Sequence, residues 1–330
     1  MAADRAIGIG GSSGAIEALK TILAALPSTL EAPVLITAHV GAIGLNRLAD
    51  IFDAVTPLEV VSAEDGALAR GGRAYVAPAD HHLLVLDGVI RLGRGPRENL
   101  SRPAIDPLFR SLGLSYGSGA VGVLLSGYLN DGAAGLADLK RCGGLTVVQN
   151  PADAEVEDMP IAALRASDVD YRASAGEIAA LLQRLVAAEP PAPPAHPPAH
   201  PPDDIAVEVD IALGRPVDSR VIEIIADPVA LSCPACGGVL SQMRRSSPVR
   251  YRCQVGHGYT GEILATQKEA ATDEAVRVAL RIIEERATLM QRMADDARRQ
   301  GRIRAAEMFQ ARLVDCRAYA DTLRRAVTGV

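Results

Sequence analysis

"GIGGSSGAIEAL", residues 8–19, joins an apolar lead-in (Ala6 to Ile9) to a helix-like pattern through glycines and two serines. Two chemistries share this shape. A glycine-rich strand-to-helix turn can seat a pyrophosphate at a helix N-terminus, and a serine at the carboxyl end of a parallel strand stands where such sheets place their reacting groups. Gly8, Gly10, Gly11 and Gly14 give an irregular dinucleotide fingerprint. That reading also requires an Asp or Glu at the end of the second strand, and "VLITAHV" ends in His39 instead. A phosphate-loop NTPase would need Gly-Lys-Ser/Thr, and the first lysine is Lys20. A nicotinamide-dependent dehydrogenase is the weaker alternative.

The serine reading draws on three strand ends. A serine becomes nucleophilic only beside a base, and the base needs an acceptor that orients it. His39, closing the second strand, supplies an imidazole; "AVGVLLSGYLNDGAAG" supplies Asp131 just past a third. Backbone N–H groups at the helix start could hold a developing oxyanion, favoured by the helix dipole. Each residue also has a plainer role: Ser12 capping helix 14–25, Asp131 capping helix 132–142, His39 as a structural histidine.

Outward from this turn, near-continuous apolar runs alternate with helical ones, the pattern of a parallel sheet covered on both faces. The runs are AIGIG, VLITAH (34–39), LEVV (58–61), AVGVLLS (120–126) and LTVVQ (145–149), with helices near 14–25, 43–54, 104–114, 132–142 and 174–187. The expected fold class is α/β, a doubly wound and mainly parallel sheet. From Gly71 to Arg94 the alternation breaks, and an antiparallel excursion turning at Asp87-Gly88 is expected.

With 330 residues, 48% of them apolar, the chain can bury a large core. No run approaches a membrane span, and the first residues lack the features of a signal peptide. A cytoplasmic protein without membrane insertion is expected. The net charge of −6 offers no general attraction to nucleic acid. Partners are therefore sought among proteins and small molecules.

"PPAPPAHPPAHPP", 190–202, favours extended polyproline II and reads as a linker. Beyond it, 205–230 resists classification. "CPACGGVLSQMRRSSPVRYRCQVGHGY" then carries Cys233, Cys236, Cys253 and His257, a spacing suited to tetrahedral Zn²⁺ with no open position, hence a structural ion. The remaining cysteines, Cys142 and Cys316, fall on apolar helical faces. Apolar residues recur as Val276, Leu280, Ile283, Ala287, Met290 and Ala294, and again as Phe309, Leu313, Cys316, Ala320, Leu323 and Val327, interrupted at Gln300-Gly301. Such seams predict an antiparallel helical hairpin. The expected division is 1–188, a linker 189–204, a zinc-ribbon-like module 205–262 and the hairpin 263–330.

"IGGSSGAIEAL", "LITAHV", "YVAPADHHL", "RPAIDPLF", "GVLLSGYLNDGAAGL", "VVQNP" and "MPIAAL", in this order from about Ala6 to Leu185, resemble the catalytic domain of CheB-type chemotaxis protein-glutamate methylesterases. The resemblance implies a Ser-His-Asp triad, no catalytic cofactor, and hydrolysis of methyl esters on receptor glutamyl side chains, with glutamine deamidation as a second activity. It assigns Ser12 as nucleophile, His39 as base and Asp131 as the orienting carboxylate. Ser13, where the family usually has threonine, and Tyr128, where it usually has methionine, match the oxyanion positions; Arg102 and His82 fall in motifs near the expected cleft. Ala15, Ala38, Val40-Gly41 and Tyr128-Leu129 depart from the family pattern. Only five residues precede the first strand, so the receiver-domain switch common in the family is not expected in cis. The cysteine-rich portion resembles zinc-ribbon-like tails of some CheB-like proteins, and the hairpin would meet a helical receptor, another copy or a signalling partner. The competing non-enzymatic reading is an adaptor acting through this tail.

Overall fold

Runs of Val, Ile and Leu with no polar face suit strands that are covered on both sides. The computed structural model describes residues 4–39, 47–188, 203–216 and 219–328, and places those runs in one sheet. Strands β1 (Ala6–Gly11), β2 (Val34–Ala38), β3 (Glu59–Ser62) and β4 (Arg73–Val76) form one half. A separate antiparallel hairpin follows, β5 (His82–Leu86) and β6 (Val89–Gly93). Strands β7 (Ala120–Leu124), β8 (Leu145–Gln149) and β9 (Tyr171–Ala173) complete the sheet. The spatial order is β3-β4-β2-β1-β7-β8-β9, with all neighbours parallel.

Helices cover both faces, so the doubly wound α/β architecture expected from the sequence is the one observed. On one face α1 (Ala15–Ala24), α2 (Leu48–Asp53) and α6 (Ala175–Ala187) pack on Ile7, Ile9, Val121 and Val123. On the other, α3 (Ile105–Tyr116), α4 (Ala133–Arg141) and α5 (Asp158–Ala166) pack on Leu35, Leu124 and Val148. Gly8 and Gly10 of β1 face α3. A Cβ at Gly10 would collide with Ile105, so this strand is what lets the first turn of α3 lie against the sheet.

Three expectations need correction. Residues 73–76 are not part of an antiparallel excursion; β4 is an inner strand, parallel to β2 and β3, and only β5–β6 turns at Asp87-Gly88. Helix α5 and strand β9 went unread. Pro160 lies in the first turn of α5, where a missing N–H costs nothing, and β9 is a three-residue edge strand. Part of the expected helix 43–54, and most of the expected linker, lie outside the described residues; Asp203 and Asp204 already belong to the next helix.

That helix, α7 (Asp203–Leu213), and α8 (Ser219–Ile225) fill the unclassified stretch. An antiparallel sheet follows, β10 (Ala226–Ser232), β11 (Val239–Met243), β12 (Arg250–Cys253) and β13 (Gly258–Thr260). Residues 1–263 form one compact unit, and buried charge ties its later elements to α3. Arg110 of α3 forks onto Glu98 at 3.1 and 2.7 Å and reaches Glu208 of α7 at 2.9 Å. Arg250 of β12 forks onto the same Glu208 at 2.5 and 2.8 Å and meets Asp138 of α4 at 3.2 Å. Arg252 bridges Glu208 at 3.0 Å and Glu98 at 3.1 Å. All six side chains are buried.

The second compact unit, 264–330, holds most of α9 (Gly261–Arg299) and all of α10 (Ile303–Thr328). Met290, Ala294, Leu313, Cys316 and Ala320 of the seam are buried. Arg324 bonds Glu284 at 2.7 Å and Arg298 bonds Gln310 at 2.8 Å, the descending register of an antiparallel pair. The hairpin turns at Gly301, φ 68.

Burial pushes the Glu208 carboxyl up, but Arg110, Arg250 and Arg252 outweigh it and hold it at about 2. A lowered carboxylate stabilises the fold fully above its ordinary value of about 4.3 and loses that contribution as pH falls toward the folded value. Glu208→Gln is therefore expected to destabilise the protein by about 3–5 kcal/mol at pH 7, because it leaves guanidiniums uncompensated. Urea unfolding should also show a smaller loss of stability for this variant than for wild type as pH drops from about 4.3 to about 2.

Candidate active site

The site lies where the sheet reverses its direction of growth. From β1 the chain moves to β2 on one side, while β7 and β8 extend the other, and ligands of such sheets bind beyond the carboxyl ends of strands at that reversal. Gly11 pairs with Ala38, and the His39 N–H donates to Gly11 O at 3.0 Å. Ser12 and His39 therefore each stand one step past the last paired residues of adjacent parallel strands, which run about 4.8 Å apart. On the β7 side the Ser12 N–H donates to Ser126 O at 2.9 Å, and Ser126 Oγ donates to Ser13 O at 2.7 Å. The loop bearing both serines is thereby fixed to the loop after β7.

Helix α1 does not use Ser12 as its cap. Its N-cap is Gly14, at φ 77, with no side-chain cap bond. Asp131 is not spent on its own helix either, since Gly132 is the N-cap of α4 and also lacks one. The carboxylate instead faces the N-terminus of α3. Oδ2 accepts the Ile105 N–H at 2.7 Å, and Oδ1 accepts the Asn99 side-chain amide at 2.9 Å. No side chain caps α3 from position 104, so the carboxylate of Asp131 takes up a helix-end donor from another segment.

His39 Nε2 lies 2.9 Å from Asp131 Oδ2. The ring N–H does not point along that line, so the contact has ion-pair distance without in-line hydrogen-bond geometry. Burial pushes the Asp131 carboxyl up; the His39 contact, the Ile105 N–H and the Asn99 amide outweigh it and hold the group below the usual carboxylate range. Its neighbour Asp106 goes the other way. Burial and the Asp131 charge push Asp106 up to about 7. Of the two adjacent carboxylates, the one facing the imidazole is the one kept charged.

The other expected residues fall at varied distances from this centre. Ser13 is exposed, and the Tyr128 side chain is 62% exposed. Arg102 binds Asp80 Oδ1 through Nε at 2.9 Å and Nη2 at 2.6 Å, and its Nη1 donates to Gly95 O at 2.9 Å. His82 is fully enclosed. Its Nδ1 accepts the Ala104 N–H at 3.2 Å and its Nε2 donates to Pro96 O at 3.0 Å, so it braces the 96–104 loop and presents no open face. Asn99 went unread in the sequence. Its partner lies 32 positions away, and the one local hint is an asparagine in a left-handed turn, φ 49.

In the later part of this unit, Cys233, Cys236, Cys253 and His257 place their donor atoms within 4.8 Å of one another. Cys236 Sγ and Cys253 Sγ are 3.7 Å apart, and Cys253 Sγ lies 3.5 Å from His257 Nδ1. A tetrahedral zinc with bonds of about 2.3 Å to sulfur and about 2.0 Å to nitrogen requires separations of about 3.8 and about 3.5 Å. The donors fit such an ion.

A doubly wound parallel sheet carrying a hydroxyl, an imidazole and a charged, buried carboxylate at its reversal edge defines an α/β protein built like a serine hydrolase. Comparison with known proteins narrows this. The family model described as CheB methylesterase matches residues 7–182, and the chain belongs to that family. A relative from Leptospira interrogans is 41% identical over 181 residues, covering 54% of this chain and 94% of its own. The protein-glutamate methylesterase/protein-glutamine glutaminase of Yersinia pestis is 38% identical over 191 residues; the match spans 57% of this chain and 54% of that one. The crystal structure of the Thermotoga maritima CheB methylesterase catalytic domain superposes with a TM-score of 0.53 at 29% identity, covering 55% of this chain and 98% of that one.

Gly127 marks how closely Ser12 is held. A Cβ there would collide with the Met159 sulfur and lie 2.7 Å from Ser12 Cβ. Gly127→Ala should displace Ser12, since relieving such overpacking costs about 1–3 kcal/mol. A misplacement of this size is expected to slow the reaction of Ser12 with a fluorophosphonate about 100-fold in a variant that still melts cooperatively.

Proposed function

We propose that this protein is a serine hydrolase that removes methyl esters from glutamyl side chains of a chemoreceptor, using Ser12, His39 and Asp131. The observation that carries the reading is the charged Asp131 carboxylate, 2.9 Å from an imidazole that neighbours Ser12 across two parallel strands. The names of the relatives support the substrate class.

The chemistry follows from these positions. With Nε2 turned to Asp131, the neutral imidazole carries its one proton there and Nδ1 is the nitrogen left to accept from Ser12; a small rotation of the ring brings the Nε2–H into line with the carboxylate. Ser12 Oγ attacks the ester carbonyl as His39 takes its proton, and the proton passes to the departing methanol. Water then adds to the glutamyl-serine ester with His39 again as base, releasing the carboxylate and restoring Ser12. The backbone N–H groups of Ser13 and Tyr128 are the donors assigned to the oxyanion, an interaction typically worth about 10²–10³ in kcat. A glutaminyl amide can follow the same path with ammonia leaving, and the second activity in the relatives' names supports this.

Cys233, Cys236, Cys253 and His257 would hold a structural zinc. Such an ion contributes folding energy to a small sheet and, with four protein donors, has no open position. Membership of the CheB methylesterase family supports a cytoplasmic location, and among the described residues no helix is long and apolar enough to cross a membrane. Exposed Ile282, Leu289, Val314 and Tyr319 support the hairpin as a contact for another protein.

Methanol release from methyl-labelled receptor membranes tests the reading: wild type should release it, and Ser12→Ala should lower kcat by about 10³-fold or more. Release unaffected by Ser12→Ala would overturn it. For the metal, elemental analysis should find about one zinc per chain, and Cys253→Ser should lose it together with thermal stability.

A further inference from the structure

Asn99, which holds Asp131, and Asn130, which precedes it, are themselves held by residues that lie beyond the family match. Thr260, the last residue of β13, is fully buried. Its hydroxyl donates to Asn130 Oδ1 at 2.7 Å and its N–H donates to Asn99 Oδ1 at 3.1 Å. Asn99 is the side chain that holds Asp131 Oδ1, and Asn130 is the residue preceding Asp131. One threonine thus binds both the side chain that holds the carboxylate and the residue that precedes it in the chain. The other amide end of Asn130 donates to Glu262 Oε2 at 2.8 Å.

Asn99 needs this support. Asn99 and Leu100 have φ 49 and 68, a left-handed pose that costs about 1–2 kcal/mol for an L-residue such as leucine. The segment is laced to β13: the Asn99 N–H donates to Gly258 O at 2.9 Å, and the Gly258 N–H donates to Arg97 O at 3.3 Å. Arg252 fastens Glu98 from the neighbouring strand. The family match ends at residue 182, whereas every outer contact here comes from residues 252–262.

We propose that Thr260 is a positioning residue for the reaction at Ser12, so that the segment following the Cys-His cluster completes the active site of the preceding domain. This rests on the reading of Ser12, His39 and Asp131 as a triad. The Asp131 carboxylate has two close anchors, the Ile105 N–H on Oδ2 and the Asn99 amide on Oδ1, and a longer one from the Asp106 N–H to Oδ1 at 3.5 Å. The Thr260 hydroxyl fixes Asn130, the residue from which the chain enters Asp131; without it the backbone at 130–131 can shift and turn Oδ2 away from the imidazole, while Asn99 keeps its bond to the Thr260 N–H. Ser12 would remain in place with a base that is no longer oriented. Substrate binding would change little, while the chemical step would slow.

The test compares full-length wild type with Thr260→Val and Thr260→Ser, measuring phosphonylation of Ser12 by a fluorophosphonate against probe concentration. The valine variant, which loses only the hydroxyl, should lower the maximal rate by about 10-fold to about 100-fold with half-saturation unchanged, and serine should restore it. A folded valine variant reacting at the wild-type rate, or a serine variant as slow as valine, overturns the proposal. Should valine at 260 prevent folding, Glu262→Ala, which frees Asn130 from its other side, must slow the maximal rate; no change overturns it. Labelling without methanol release would count against the receptor ester as substrate and leave this inference standing.

Discussion

A carboxylate can stay charged inside a protein only if donors surround it, and the site depends on how that is done for Asp131. Burial by itself would neutralise the group. The His39 contact opposes this, and so does the first turn of α3 by aiming the Ile105 N–H at it; α3 can lie there because β1 has no side chain at Gly10. The same glycine-rich strand then delivers Ser12 to the edge. One local choice in the sequence thus serves two members of the trio: small residues inside the strand admit the helix that charges Asp131, and the serines at its end supply the hydroxyl.

The buried ion cluster behind α3 extends this dependence. Asp106 and Arg110 lie one helical turn apart on α3, Asp106 touching the Asn99 amide and Arg110 meeting Glu98 and Glu208. Removing charged groups from water is costly, and mutual attraction offsets the cost only where geometry is good and further hydrogen bonds are made. Here the forked contacts of Arg110 and Arg250 meet that condition. The cluster therefore acts less as a source of net stability than as a fixed registration between α3 and β12.

Much of this was legible in the chain itself. β1, β2, β7 and β8 are continuous apolar runs, and a strand buried on both faces leaves little else to be read from such a run. The hairpin seam was legible because its period is strict and its turn is a glycine. What escaped has a common physical cause. Helix α7, "DDIAVEVDIAL", carries Glu208 on a buried face, so its apolar period is broken by a residue whose partners lie on α3 and β12. His82 reads from its motif as a residue of the expected cleft, yet both ring nitrogens are taken by backbone groups of a loop that folds over it. Asn99 and Thr260 work through partners far away in sequence, which no local spacing reveals.

The threefold sharing of Glu208 also bears on where this chain can be cut. The proline-rich stretch invites a fragment ending near residue 188, and the family resemblance invites it further. In this chain such a fragment would keep Arg110 and Glu98 but lose Glu208, Arg250 and Arg252, exposing an interior of mismatched charge to solvent beneath α3. The first compact unit of this protein therefore extends through β13, past residue 182, where the match to the family model ends.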